Sequence, residues 1–297
     1  MMREMPAPFL APRTTLRIGG TAIAELVLER HEDLYLLPDK LKALGGTPLV
    51  LGAGSNILAH DGELPLVLIR PFFSDGPQIV GEHEGRILVR AGAGVPMARL
   101  LRFCAVNGLS GLEGLVGIPG SVGGAVAMNA GSHGTETCKN IYSIQAFVDN
   151  TIQRISVNAL QYGYRTLRIN GKKNDFIVLE ATFGLTVGER DGICNCMRHN
   201  FFKKKSKQPV TAWSAGCVFK NPTPEMSAGK LLDEAGFKGK KLGGMAFSSL
   251  HANFLINEGK GSATAALALL QEARETVRQR FGIELEPEVR IVPCPLP

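Results

Sequence analysis

Gly117-Ile118-Pro119-Gly120-Ser121-Val122-Gly123-Gly124-Ala125-Val126-Ala127-Met128-Asn129-Ala130-Gly131 carries too little side-chain volume to fill a core. Glycine permits close backbone approach and left-handed dihedrals. Successive bare amides can form concave nests that hold a pyrophosphate. The alternative is a tight, glycine-rich turn between two packed elements. A second lean loop upstream, Gly52-Ala53-Gly54-Ser55-Asn56-Ile57, favours the phosphate reading. It follows Thr47-Pro48-Leu49-Val50-Leu51, an apolar run of the kind that makes a buried strand. Strand followed by Gly-x-Gly invites the G-x-G-x-x-G dinucleotide fingerprint, but Ile57 stands where the third glycine belongs. About twenty residues on, where an acidic ribose partner is usual, the chain reads Ile69-Arg70-Pro71. A Rossmann fold is therefore rejected.

Working outward, residues 12–187 read as alternating short strands and helices with frequent glycine turns. Residues 86–91 are strand-like. Residues 96–107 read as a helix, opened by Pro96, closed by Gly108 and presenting Leu100, Leu101, Cys104 and Ala105 on one face. From Gly108 to Gly123 a glycine recurs at every third position. So few triplets with a single proline cannot make a collagen helix, and irregular loop is expected. Residues 176–183 form a clear strand near the end of this part. Residues 190–207 then make a polar, basic, helical connector, and 264–281 an amphipathic helix with Leu267, Leu270, Ala273, Val277 and Phe281 on its core face. Gly282 stops it, and 283–292 resume as strand. Periodicity alone supports mixed α and β in two parts.

A chain of 297 residues has enough length for about two domains. Its 44% hydrophobic and 20% charged content is ordinary for a globular protein. No run approaches the roughly 18 apolar residues that span a bilayer, and the proline-bearing N-terminus does not read as a signal peptide. A cytoplasmic protein without membrane insertion is expected. The cysteines at 104, 138, 194, 196, 217 and 294 are too scattered for a disulfide scaffold. Cys194-x-Cys196 lacks a second pair at zinc spacing, so no metal is expected and these thiols read as packing residues. The net charge of +6 favours anionic partners in general. The only concentrated basic run, Lys203-Lys204-Lys205-Ser206-Lys207, lacks the broad face and stacking aromatics of a nucleic-acid site. No nucleic-acid partner is expected.

Five segments in order, 17–22, 51–56, 117–131, Gly216-Cys217-Val218-Phe219-Lys220-Asn221-Pro222 and Leu285-Glu286-Pro287-Glu288-Val289-Arg290, together resemble the UDP-N-acetylenolpyruvoylglucosamine reductases, flavoproteins of bacterial peptidoglycan synthesis. The likeness runs from about Arg13 to Val292. The short interval between Tyr164-Arg165 and Cys217 is similar to the class lacking an inserted tyrosine-bearing loop. The resemblance implies an α+β protein: an FAD-binding domain of the vanillyl-alcohol-oxidase (PCMH) type over 12–187, and a smaller α+β substrate domain over 188–297. It further implies non-covalent FAD held by Gly52, Ala53, Gly54, Ser55, Asn56, Ile57, Ile118, Pro119, Gly120, Ser121, Gly123, Gly124, Ala125, Asn129, Gly131 and Arg290. His60 and His133, near the two loops, read as hydrogen-bonded loop residues rather than covalent attachment points.

In such a family the flavin takes a hydride from NADPH and delivers it to the methylene carbon of an enolpyruvyl ether on a UDP-sugar. Negative charge develops on the adjacent carbon and its carboxylate, which needs stabilising groups and one acid. By resemblance, Arg165 and Glu288 stabilise that charge and Cys217, where most relatives carry serine, donates the proton. A guanidinium grips a carboxylate with two parallel hydrogen bonds. A thiol of ordinary pKa about 8.5 is mainly protonated at neutral pH. Tyr164, Lys207 and Asn221 match substrate contacts. Thr166-Leu167-Arg168 departs from the acid and serine that usually follow the arginine. Another PCMH-type flavin oxidoreductase and a basic nucleic-acid-binding protein are the alternatives.

Overall fold

The computed structural model describes residues 2–173 and 175–293. Cys294 lies outside them. Among the described residues the α-helices are α1 His31–Leu44, α2 Met97–Val106, α3 Val122–Ala127, α4 Arg190–Lys207, α5 Ala228–Glu234 and α6 Ala263–Phe281. Where end signals were local, the expected helices form. Pro96 caps α2 in an extended conformation, and the helix buries Leu100, Leu101, Cys104 and Ala105 as its periodicity requires. Gly282 ends α6 in the left-handed region at φ 69°, where glycine has no Cβ to clash. The α6 core face is centred on Ala266, Leu269, Leu270, Ala273 and Val277, with Leu267 and Phe281 only partly buried.

The start of α6 draws on a distant carboxylate. Asp61 accepts from the amides of Ala263 (3.0 Å) and Thr264 (2.9 Å) and from the Thr264 hydroxyl (2.9 Å). Burial alone would raise its pKa, but these hydrogen bonds and the neighbouring His60 bring it below 3.8. A carboxylate with a depressed folded-state pKa stabilises above its unfolded value, and that contribution disappears as pH falls through the folded one. Asp61→Ala is expected to cost roughly 1 kcal/mol at neutral pH, typical of a lost cap. The difference in melting temperature from the parent should shrink as pH drops below about 4.

The chain forms two compact units that do not follow a single cut at 187/188. One comprises Met1–Met5, Glu25–Ala53 and Val67–Lys203; the other comprises Pro6–Ala24, Gly54–Leu66 and Lys204–Pro297. The reason is pairing. Ile57–Ala59 runs parallel to Arg290–Val292, and Leu16, Ile18 and Leu58 share a core with C-terminal residues.

In the first unit the main sheet runs Thr151–Ser156, Ile141–Val148, Ile177–Val187, Arg86–Gly92, Gln78–His83, with antiparallel neighbours throughout. Such a sheet is unlike a parallel dinucleotide-binding fold. Leu109–Ser110 also pairs with Ile177–Val187, and α3 lies against that same strand. Val89, Leu100, Val126 and Phe183 are wholly buried at the centre of this core. In the second unit Trp213–Cys217, Phe254–Asn257, Met245–Phe247 and Lys241–Leu242 form an antiparallel sheet. Its core includes Phe219, Phe237, Phe247, Leu255 and Leu269. The mixture is α+β, as expected.

Three local expectations are corrected. The run 47–51 is not a buried strand: Thr47–Val50 is an edge strand with Thr47 and Pro48 exposed, since proline cannot donate to a ladder and suits an edge. Residues 108–123 are not wholly irregular, because Leu109–Ser110 is strand, Glu113–Leu115 a 3₁₀ turn and Val122 already helical. Residues 283–292 are strand only over Arg290–Val292. Before that the segment exchanges partners: Lys220 N donates to Glu286 O and Glu288 N to Val218 O, and then Arg290 N donates to Asn56 O. A segment that changes neighbours every few residues cannot build a long ladder.

Candidate active site

In the first unit the two lean loops face each other. A Cβ on Gly52 would lie 2.8 Å from the Ser121 hydroxyl oxygen. The loop at 117–131 contains a short helix, and its opening amides are already engaged. Val122 N donates to Val95 O, Gly123 N to Ala93 O, and Gly124 N to the Ser121 side chain. Among the described residues, the amides of Gly52, Ala53, Gly120 and Ser121 find no acceptor in the protein. Ser121 is only 9% exposed, and a shielded amide without an acceptor is costly unless something else accepts from it. These bare donors on two facing loops suit the oxygens of a flavin pyrophosphate, so the residues present fit the group.

The glycines divide by role. Gly123 is constrained by its own fold, since a Cβ there would sit 2.7 Å from Ala93 Cβ. At Gly124 a Cβ would meet only the Ser121 hydroxyl, at 3.6 Å, and the residue is exposed. Ile118 and Gly120 are half-buried and Pro119 is exposed, whereas Ala125 belongs to the core.

Arg165 sits in the two-residue turn of a β-hairpin, Gln161–Gly163 paired with Thr166–Arg168. Its φ of 55° is left-handed, a conformation costing about 1–2 kcal/mol for a residue bearing a Cβ. Its guanidinium carbon lies 5.2 Å from the centre of the exposed Tyr164 ring. A Cβ on Gly131 would stand 3.2 Å from Arg165 Nη1. Asn129, 1% exposed, donates to Gly163 O and Glu136 Oε2 and accepts from Cys138 N, each at 2.9 Å. Both amide hydrogens are thus engaged within the protein.

In the second unit Cys217 ends the strand Trp213–Cys217 opposite Phe254, past a register shift and a left-handed Gly216 (φ 81°). It is half-buried, as is Glu288. The two come close along the backbone, because Glu288 N donates to the carbonyl of Val218 at 2.8 Å, one residue beyond the thiol. Asn56 Nδ2 donates to Glu288 O (3.1 Å), and Arg290 pairs with Ile57, a core residue. Gly54 closes against Arg13, whose carbonyl would be 2.2 Å from a Cβ, and Ser55 is half-buried beside it. Glu284 and Glu286 are exposed and ion-paired with Arg274 and Lys220. Asn221 Oδ1 accepts from Ala228 N at the start of α5 (3.1 Å).

Sequence reading missed three residues. Lys207 is exposed at the end of α4, while Lys204 is 5% exposed. The stripe Ile193, Met197, Asn200, Lys204 at three- and four-residue steps was the available signal. Asn253, 2% exposed, grips the cysteine motif by accepting from Phe219 N (3.0 Å) and donating to Phe219 O (2.8 Å). Glu136 lies beside Arg165, and hydrogen bonds from Lys139 and Asn129 with the charges of Lys139 and Arg165 hold its carboxyl below 4.5 against burial. Of the cysteines, 104 and 138 are the packing residues expected, with burial pushing each thiol up to about 12. Cys196 is exposed instead. Among the described residues no cluster of three or more His, Cys, Asp or Glu could hold a metal. No helix among them is long and apolar enough to cross a membrane.

Comparison with known proteins places these features in a family. Residues 39–150 match a profile described as FAD binding domain, and 208–292 match the C-terminal domain of UDP-N-acetylenolpyruvoylglucosamine reductase. The reductase of that name from Nitratidesulfovibrio vulgaris is 50% identical over 98% of this chain and 99% of its own. That from Oleidesulfovibrio alaskensis is 47% identical over 97% and 98%. The crystal structure of UDP-N-acetylenolpyruvylglucosamine reductase from Thermus caldophilus superposes with a TM-score of 0.82 at 33% identity, covering 99% of this chain and 100% of that one. Such similarity over nearly the full length of both chains decides against a different PCMH-type flavin oxidoreductase: this chain belongs to the UDP-N-acetylenolpyruvoylglucosamine reductases, a family of FAD-dependent oxidoreductases.

Proposed function

We propose that this protein reduces UDP-N-acetylenolpyruvoylglucosamine to UDP-N-acetylmuramate in the cytoplasm, using NADPH and non-covalently bound FAD. The observation that carries the cofactor half of this reading is the pair of facing loops whose amides at Gly52, Ala53, Gly120 and the buried Ser121 lack protein acceptors. When bound, the flavin supplies hydride transfer, accepting from NADPH and delivering to the enolpyruvyl methylene carbon. The chain's own residues do the rest. Gly52–Ile57, Ile118–Ser121, Gly123–Ala125, Asn129, Gly131 and Arg290 form the proposed cofactor set, with the side chain of Asn129 acting through the protein. Arg165 and Glu288 stabilise the negative charge that develops on the substrate, Cys217 gives a proton to the adjacent carbon, and Tyr164, Asn221 and a lysine of α4 contact the substrate. The proposed functional division, distinct from the two compact units, assigns FAD binding to residues 12–187 and substrate binding to 188–297.

Absorbance spectra taken alone, after NADPH, and then after substrate test the activity. A flavin band that bleaches and returns is expected; a colourless protein, or no return with substrate, would count against it. Acid denaturation should release all the colour from the protein. Colour retained on the chain would instead point to covalent linkage.

Gly124→Val isolates the cofactor loop. The added Cβ makes only an ordinary contact with the Ser121 hydroxyl, at 3.6 Å, and valine is a slightly better helix former than glycine. The apoprotein should therefore melt near the parent temperature while flavin occupancy falls several-fold. Gly123→Val is the contrasting variant: it collides with Ala93 and should lower the apoprotein's melting temperature. Full flavin occupancy in folded Gly124→Val would remove this loop from the site.

A further inference from the structure

Arg165 stands at a hairpin tip, where arginines are ordinarily mobile, and in a backbone conformation that must be held in place. We propose that Asn129 and Glu136 are positioning residues for Arg165: the Asn129 carboxamide fixes the hairpin that carries it, and the Glu136 carboxylate sets the direction of its guanidinium. This rests on the reading of Arg165 given above.

Asn129 anchors the hairpin. Its carboxamide ties together three separate points of the chain: Gly163 O at the end of the first hairpin strand, Cys138 N, and the Glu136 carboxylate. Gly163 is two residues before Arg165, so this bond fixes the strand end from which the turn departs. Asn129 itself adopts φ 45°, which asparagine tolerates better than most residues. A single side chain therefore makes a three-point connection from a left-handed backbone position, and no apolar residue could make that connection.

Glu136 completes the arrangement. One carboxylate oxygen accepts from Asn129 and the other pairs with Lys139 at 2.6 Å. A Cβ placed on Gly131 would lie 3.3 Å from Glu136 Cγ and 3.2 Å from Arg165 Nη1, so the two side chains flank the same point of backbone, and the positive charge of Arg165 helps keep this carboxyl ionised. Glu136 thereby couples electrostatically to the guanidinium while its own orientation is fixed from two sides. Bare backbone at Gly131 leaves room for the guanidinium, since a Cβ there would lie 3.2 Å from Nη1 and 3.0 Å from Thr135 O. Asn129, Gly131 and Glu136 thus act together on one side chain, and all belong to a short segment that the helix α3 feeds directly.

Glu136→Gln tests the idea because it keeps an oxygen for Asn129 while removing the charge and, with it, the ion pair to Lys139. Reoxidation of NADPH-reduced enzyme by substrate is followed in stopped flow, in the parent and in Arg165→Ala, alongside flavin content and melting temperature. The expected result in the parent is a loss of roughly ten- to a hundredfold in reoxidation, the size of a misplaced catalytic group, with flavin reduction and content unchanged. In Arg165→Ala the same change should cost less than about twofold, because the effect passes through the missing arginine. Equal slowing in both backgrounds, or no slowing by Glu136→Gln where Arg165→Ala is slow, overturns the positioning role. Unchanged reoxidation in Arg165→Ala overturns the catalytic reading of Arg165 itself, a different and separable result.

Discussion

Arg165→Ala is expected to leave NADPH able to bleach the flavin while slowing reoxidation by substrate about 10²–10³-fold, the usual loss when a preorganised charge-stabilising donor is removed. Glu288→Gln should behave in the same direction. Both groups are proposed to act on charge that develops in the substrate, so the step that precedes substrate is untouched. Arg165 is held in a left-handed turn and the Glu288 backbone is fixed from both ends, by Val218 O and by the Asn56 side chain. Such fixed placement is what electrostatic stabilisation needs, because little reorganisation remains when charge appears. Arg165→Lys would keep the charge but not the two-pronged geometry, and should recover only part of the rate. Stopped-flow traces with unchanged reoxidation in both Arg165→Ala and Glu288→Gln would remove these residues from the chemistry.

Legibility in the sequence followed how local each signal was. The ends of α2 and α6 were readable because Pro96, Gly108 and Gly282 act on their own neighbourhoods. The candidate site residues were readable only through family resemblance, since a lone arginine between Tyr164 and Thr166 has no periodicity to mark it. What stayed hidden depends on distant partners. The amides of Val122, Gly123 and Gly124 looked available for phosphate, but Val95, Ala93 and Ser121 already accept from them. The family resemblance put Asn129 among the cofactor residues, but nothing local announced that its side chain reaches Gly163, 34 residues away. Residues 54–66 read as part of the first domain until their parallel partner at 290–292 was seen. Nothing in a local window announces a pairing at that separation.

Cys217→Ala should cause the other large effect, a loss of about 10²–10⁴-fold in product formation, typical of removing a general acid, with flavin reduction preserved. The fold gives a reason to expect a chemical rather than a packing role. Cys104 and Cys138 lie in the first core with thiols pushed up to about 12, which marks them as inert. Cys217 is instead half-buried at a strand end, next to a left-handed glycine. Its backbone is steadied from the following residues, where Asn253 brackets Phe219 and Glu288 bonds to Val218. A packing cysteine would need none of this, and its removal would leave a small cavity that lowers stability without touching turnover. Cys217→Ser should retain measurable product formation, since a hydroxyl can serve as the donor, and its activity should no longer respond to thiol alkylation. Exposed Cys196 supplies the internal control, because its alkylation should continue in Cys217→Ser without consequence for rate. Both half-reactions are to be measured beside thermal stability. A fully folded Cys217→Ala protein that forms product at the parent rate would defeat the proton-donor assignment, and a lowered melting temperature with normal turnover would assign the thiol to packing instead.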